Sequence, residues 1–470
     1  MSVKKSTSIT VMSLKFILRV ICVFIFAKAF LFPTTVYAQE TIVAELSPDT
    51  AVQQMLEHNF GVTLANNQVT ISENNKSILN AGFLPSLTGN AGATFDRNNN
   101  TTDFEGALDQ EGNLIPDVVI EDADSRRYNA SLNLDYTLFD GLGRHYNYKQ
   151  LKEQYKLSEL QARETIENTI LQLFTVYYEV ARLSENATTL EQALQISKDR
   201  ATRAAYRFEY GQANKLEVLN AEVDITTDSI NVLNAHQQLR NTKRDLNVVL
   251  NQELETNFKV DTTITFVNAL SIIDYVEKAK SNNVQLLQIE REIAISDYTI
   301  KGAKSLLLPT VGLTGSYGWN RNESPASTFF PGRNDVGNNL TLGANLRWNI
   351  FDGGQSIVAI KNAKIAYESQ ELLRKQLEQQ VYRDIANAKG DYENALTIFR
   401  LQEQNLLTNE DNFRRSQERL KLGQITSVEF RQAQLNLLNA QVTKNAAKYT
   451  AKLAELQVLQ LTGQLLNVDF

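Results

Sequence analysis

Two spacings of apolar residues divide this chain. In the first, apolar and polar residues alternate: Val311, Leu313, Tyr317 and Trp319 stand against Gly312, Thr314, Ser316 and Asn320, and Leu87, Ala91, Ala93 and Phe95 against Thr88, Asn90, Thr94 and Asp96. A second such run follows each. Ala130, Leu132, Leu134, Tyr136 and Leu138 alternate with Asn129, Ser131, Asn133, Asp135 and Thr137, and Leu340, Leu342, Ala344, Leu346, Trp348 and Ile350 with Thr341, Asn345, Arg347 and Asn349. A period of two predicts four strands, each about ten to twelve residues long. In the second spacing apolar residues recur every seventh position: Val218, Ile225, Val232, Leu239 and Leu246, then Val428, Leu435, Val442, Tyr449 and Leu456. These rows predict coiled-coil packing between helices rather than a cofactor site. No proline lies between Pro116 and Pro309 or after Pro331, and no glycine between Gly143 and Gly211, so nothing breaks helix over long distances. The stretches from Phe139 to Gly211 and from Phe351 to Gly423 would each span roughly 100 Å as helix, over three times a bilayer core of about 30 Å.

The pattern occurs twice. Leu84-Pro85-Ser86-Leu87 returns as Leu308-Pro309-Thr310-Val311, 224 residues on; Leu138-Phe139-Asp140-Gly141 returns as Ile350-Phe351-Asp352-Gly353, and Tyr210-Gly211-Gln212 as Leu422-Gly423-Gln424, both 212 residues on. Each copy opens helically, with Ala51, Val52, Met55 and Leu56 in the first and Val276 and Ala279 in the second, and Ser47-Pro48 reads as an N-cap and first helical position. Proline then stops each opening helix at its Leu-Pro. The expected organisation is residues 1–38 as a secretory signal, 39–250 as a first repeat, 251–270 as a Thr-rich linker and 271–470 as a second repeat. Gly211 and Gly423 fall at the turns of two long helical hairpins.

Composition narrows the compartment. Lys4 and Lys5, the apolar run from Val20 to Ala27 and Val36-Tyr37-Ala38 fit a signal cleaved before Gln39. The single cysteine, Cys22, lies inside that segment, so the mature chain is held by packing alone. The formal charge is -7; without the five basic residues of the signal, 42 basic residues face 54 acidic ones, or -12, which repels nucleic acid. His58, His145 and His236 lack metal-ligand spacing, no cysteine nucleophile remains and no phosphate-binding glycine loop precedes a helix, so neither an enzyme nor a bound metal or cofactor is expected. Met55 is the only methionine after the signal, which leaves no thioether path for soft metal ions.

No later segment has the 18 uninterrupted apolar residues of a spanning helix, so a membrane role falls to the strands. Ten-residue strands with one apolar and one polar face suit a barrel in lipid, whereas strands of soluble sandwiches typically run to five or six residues. The polar segments Arg97 to Arg127 and Arg321 to Asn338 read as external loops. Four strands cannot enclose a lumen, since about eight are needed, so several chains must share one barrel. At the hairpin turns, Glu217 and Glu429 each lie six residues after their glycine. Around an axis such acids could ring a mouth, although periodicity alone favours a solvated helix face. The rival to a channel is a periplasmic coiled-coil scaffold or adaptor without a pore, which the heptads suit equally and the long strands do not.

The two Leu-Pro junctions, the Leu-Phe-Asp-Gly and Ile-Phe-Asp-Gly turns with Arg144 and Gln355 beyond, and the Tyr-Gly and Leu-Gly tips, in this order and duplicated, resemble the TolC-like family of outer-membrane efflux proteins over essentially the whole mature length. The resemblance implies an α+β membrane protein of the outer membrane that extends into the periplasm. It implies a homotrimer whose twelve strands form one barrel and whose helices form a tunnel, serving efflux or type I secretion. The tips Tyr210, Gly211, Gln212, Leu422, Gly423 and Gln424 would then meet a periplasmic adaptor coupled to an inner-membrane pump. Where the family carries acids six and nine residues after the second glycine, this chain has Glu429 and Gln432, and in the first copy Glu217 and Asn220, so a single acidic ring is implied. An aromatic that helps lock the family's closed mouth is Leu420 here.

Overall fold

A computed structural model describes residues 44–326 and 331–468; the signal segment expected at 1–38 lies outside the described residues. In chain order the elements are β1 (Ala44–Leu46), α1 (Pro48–His58), α2 (Phe60–Asn75), β2 (Ser86–Thr102), β3 (Val118–Asp140), α3 (Gly143–Glu209), α4 (Lys215–Leu250), β4 (Phe258–Val260), α5 (Ala269–Asn282), α6 (Val284–Ser305), β5 (Thr310–Ser324), β6 (Arg333–Arg347), α7 (Gln355–Lys421) and α8 (Ser427–Leu461). Short helices, a strand pair, a 67-residue helix and a returning helix therefore occur twice in the same order. β1 and β4 make a separate two-stranded ribbon. Local chemistry sets the boundaries: Ser47 Oγ accepts from the Thr50 N–H at 3.2 Å with Pro48 opening α1, and Asn59 Oδ1 accepts from Gly61 N–H at 2.8 Å to open α2.

β2, β3, β5 and β6 form one antiparallel sheet in that order. Its register carries the alternation across all four strands: Leu87 faces Leu134, Leu132 faces Tyr317, and Tyr317 faces Leu340. Cross-strand partners share a face, so apolar residues line one side and Asn, Ser and Thr the other. On the polar side Ser316 Oγ donates to Asn133 Oδ1 at 2.8 Å. A slip of one residue would put every apolar side chain on the wrong face, which is why this register is strongly specified. Among the described residues β2 and β6 each have one unpaired edge.

The strands exceed the sequence expectation, with 17, 23, 15 and 15 residues instead of ten to twelve. At about 3.3 Å per residue even the shorter pair spans roughly 50 Å, beyond a bilayer core of about 30 Å. The extra length carries cross-strand charges: Arg97 forks onto Asp124 at 2.6 and 2.9 Å. The connections accordingly shrink from 97–127 and 321–338 to 103–117 and 325–332. A bulge between Thr137 and Phe139 takes Leu138 out of the alternation and sets Phe139 against Val311. Trp348 and Ile350, expected in the last strand, lie beyond its end at Arg347.

The helical core centres on α3. Phe174 and Tyr177 are fully buried, Phe174 stacks on Tyr178 with centroids 5.4 Å apart, and Tyr178 meets Tyr449 of α8 at 5.7 Å. Leu246, Leu250, Leu456 and Leu459 are also fully buried, and each such side chain contributes about 1.5–3 kcal/mol. The heptad rows supply much of this core, with one correction. Val428 is 69% exposed, because near the turn Phe430 makes the contact instead, its ring 5.3 Å from that of Phe413 in α7. Polar groups on α8 clamp the linker. Lys448 Nζ donates to Thr262 O at 3.2 Å, Lys452 Nζ to Thr265 O at 2.8 Å, and the wholly buried Glu455 accepts the Val267 N–H at 2.9 Å. Irregular backbone is thereby satisfied inside the bundle.

Candidate functional site

The two long hairpins turn by the same device. At the first, Gly211 adopts φ +71°, its N–H donates to Phe208 O at 3.0 Å, and the Gln212 N–H reaches back to Arg207 O at 2.7 Å. At the second, Gly423 adopts φ +70°, its N–H donates to Leu420 O at 3.1 Å, and Gln424 N–H to Arg419 O at 2.9 Å. This is a Schellman stop, which places the residue after the C-cap in the left-handed region where glycine carries no Cβ penalty. Tyr210 and Leu422, the capping residues, are 76% and 70% exposed, and Gln212 and Gln424 are exposed beside them. The six turn residues expected to form tips therefore do lie at the two turns, with apolar side chains presented to solvent.

The acids of the two turns are engaged differently. Glu217 accepts from Arg207 Nη1 at 3.0 Å, while Asn214 Oδ1 caps α4 by accepting the Glu217 N–H at 3.0 Å. Glu429 instead completes a capping box: its Oε2 accepts the Thr426 N–H at 2.7 Å and the Thr426 hydroxyl at 2.9 Å, and its own N–H donates to Thr426 Oγ1 at 3.2 Å. The Thr426 backbone N–H, and then its hydroxyl, hold the Glu429 carboxyl below its ordinary range. Asn220 and Gln432 are exposed one turn further on, and Gln432 Nε2 donates to Asn436 at 2.8 Å. Within one chain, then, each acid serves its own hairpin.

What joins the hairpins is a cluster that sequence reading missed. Arg431 of α8 forks onto Asp228 of α4 at 2.8 and 2.7 Å, and its Nη1 also meets Ser197 Oγ of α3 at 3.2 Å. Ser197 Oγ in turn donates to Asp228 at 2.6 Å, and Gln434 Nε2 donates to Ser197 Oγ at 3.2 Å. Arg200 pairs with Asp224, which also lies 3.5 Å from Arg431 Nε. Ser197, Arg200, Asp228 and Gln434 are buried. Burial pushes the Arg200 guanidinium down from its ordinary value against the attraction of Asp224. Two arginines balance two aspartates, so the cluster is neutral as a unit, yet removing Arg431 leaves the buried Asp228 without its fork. Asp224 and Asp228 stand four apart on one helix face; the partner of Asp228, Arg431, is 203 residues away in sequence. Beside the cluster, a cleft of about 590 Å³ opens between the two turns, lined by Arg203, Arg207, Glu217, Leu420, Ser427 and Phe430.

Comparison with known proteins agrees with this architecture. The family model described as outer membrane efflux protein matches residues 51–252 and 275–464. The outer membrane protein TolC of Vibrio cholerae serotype O1 is 23% identical over 327 residues, covering 68% of this chain and 73% of that protein. The outer membrane efflux protein BepC of Brucella suis biovar 1 is 22% identical over 346 residues, covering 71% of this chain and 72% of its own. Among solved structures, the Campylobacter jejuni CmeC outer membrane channel superposes with a TM-score of 0.69 at 17% identity, over 89% of this chain and 86% of that one.

Proposed function

Because this chain belongs to the outer membrane efflux protein family, we propose that it is the outer-membrane duct of a tripartite efflux pump or type I secretion system. Three copies join, their twelve strands close one barrel whose apolar face meets outer-membrane lipid, and their helices form a tunnel through the periplasm. The observation that carries this reading is the sheet: four long strands with one apolar face, one polar face and two unpaired edges are stable in lipid only when other strands complete the ring. In this reading residues 39–250 and 271–470 are repeats of one unit joined by the linker 251–270. The duct holds no energy source and catalyses no reaction; it offers a water-filled path.

A periplasmic adaptor coupled to an inner-membrane pump engages the exposed tips at Tyr210, Gly211, Gln212, Leu422, Gly423 and Gln424. Opening then requires the second hairpin to leave the first, which breaks the Arg431–Asp228 fork. Glu217 and Glu429, with Asn220 and Gln432 a turn beyond, line the entrance as a single acidic ring that favours cations. The test is a reversible cross-link between the two tips, with efflux measured before and after its cleavage. Efflux should fall and then return; unchanged efflux overturns the opening mechanism. Planar-bilayer conductance with and without Glu429→Ala tests the ring, since an unchanged cation preference discards it.

A further inference from the structure

Resting on the shared-barrel reading above, we infer that the seam between copies has a fixed register in which β6 of one copy pairs antiparallel with β2 of the next, with Ala344 opposite Ala93 of the neighbouring copy. The two repeats supply the argument. Within the first repeat Ser86 faces Asp135; the residues 224 and 212 positions on, Thr310 and Arg347, face each other in the second. The same offsets therefore relate both strand pairs as far as the bulge after Asn98. Between the repeats β3 pairs with β5, and shifting that pairing by the same offsets gives the pairing of β6 with β2. Leu132 facing Tyr317 becomes Ala344 facing Ala93, Leu134 facing Gly315 becomes Leu346 facing Ala91, and Ala130 facing Trp319 becomes Leu342 facing Phe95. Each apolar residue meets an apolar one, as the lipid face demands.

Two further observations, independent of the alternation, fit the same seam. The last stretch of β3, Tyr136 to Asp140, pairs with β5 alone apart from the bulged Leu138, since β2 begins opposite Asp135. Their counterparts, Trp348 to Asp352, can pair only with a neighbouring β2, and in the single chain they leave the strand, with Ile350 and Phe351 84% and 86% exposed. The second is a glycine contact. A Cβ added at Gly141 would come within 2.6 Å of Ser305 O and 2.8 Å of Leu308 Cβ, so this turn seats closely on the second Leu-Pro junction. Its counterpart Gly353 has nothing within 4 Å. The equivalent seat is the first Leu-Pro junction, at Ala81 and Leu84 of the neighbouring copy. The helices differ in the same place: Gln288 and Arg291 of α6 meet Glu164 and Glu153 of α3 at 2.9 and 3.2 Å, whereas the counterparts across the seam are Leu64 with Gln376 and Asn67 with Ile365, so the charges of the within-chain junction have no equivalent there.

The mature chain lacks cysteine, so disulfide trapping reads the register directly. The variant Ala93→Cys with Ala344→Cys is oxidised in native membranes and run without reductant, beside Ala93→Cys with Leu340→Cys, which lies four residues or about 13 Å out of register. Two- and three-chain products should form roughly tenfold more readily with the first pair than with the second, because a disulfide tolerates Cα separations of only about 4–7 Å. Leu87→Cys with Phe351→Cys reads the same seam beyond the bulge, and serves if the first pair disturbs assembly. A three-copy particle by mass in detergent that cross-links better through Leu340→Cys, or equally through both, overturns the register and leaves the shared barrel standing. A monomer, or a particle of another copy number, overturns the shared barrel and the seam with it.

Discussion

The two hairpin turns share a backbone and differ in what their acids do. Both stop a 67-residue helix on a glycine with positive φ and the same pair of back-bonds, and both place a glutamate six residues later. In the first, that glutamate pairs with Arg207 of the preceding helix; in the second it folds back onto Thr426 and caps its own helix. The difference lies in the N-cap residue: threonine offers a hydroxyl that donates to the carboxylate as well as accepting from the backbone, whereas Asn214 accepts the Glu217 N–H and leaves its carboxylate to Arg207. Repetition thus conserves the turn and leaves the electrostatics of each tip free to diverge. The second hairpin also sends cations into the first, Arg431 to Asp228 near the turns and Lys448 to Glu185 further along.

Substitutions can take this comparison apart. The largest effect is expected from Arg431→Ala, which leaves Asp228 buried without its fork and costs about 3–5 kcal/mol locally. Amide exchange near both turns should quicken and single-channel conductance should rise, and an unchanged exchange rate would mean the cluster does not hold the hairpins together. Next come Gly211→Ala and Gly423→Ala, each costing about 1 kcal/mol or more from a Cβ in the left-handed region. Because the turns are alike, the two losses should match within error; a clear inequality in exchange protection would show that the turns are not equivalent. Thr426→Ala should cost about 1 kcal/mol through the lost cap and fray the start of α8 in amide exchange. It also frees Glu429, so a carbon-13 titration of that carboxyl should move up toward the ordinary carboxylate range.

Smaller still is Glu217→Gln, which removes a partly exposed pair with Arg207 and should change tip stability by less than about 1 kcal/mol. Last is the pH dependence of the second tip. The folded-state pKa of Glu429 is depressed, so its stabilisation is fully present above the unfolded carboxylate value and is lost as pH falls through the folded value. Protection at the start of α8 should therefore hold at neutral pH and fade only below the ordinary carboxylate range. Fading near neutrality would assign the effect to another group.

Much of the architecture was legible because it rests on periodicity. Alternation in Leu132, Leu134 and Tyr136 gave a strand, sevenfold spacing in Val218 and Leu246 gave packed helices, and Gly211 and Gly423 marked the turns. Strand ends were less legible, since Arg97 and Asp124 look like loop residues until the ladder places them opposite one another. The bulge at Leu138 shows in sequence only as the adjacent apolar pair Leu138-Phe139, which interrupts the strict alternation. The inter-hairpin cluster was not legible at all: Ser197, Asp228 and Arg431 are ordinary polar residues on helices, and only packing three helices together buries them side by side.

By itself, then, the sequence determined the two periods, the duplication and the places where helices must stop, because these follow from local geometry: how often a side chain returns to the same face, and where proline or glycine alters the backbone. Tertiary structure alone decided which charges meet between the two hairpins and which strand edges remain without a partner among the described residues. Those depend on distances between residues some two hundred positions apart, as Ser197 and Arg431 are, and no spacing along the chain encodes them.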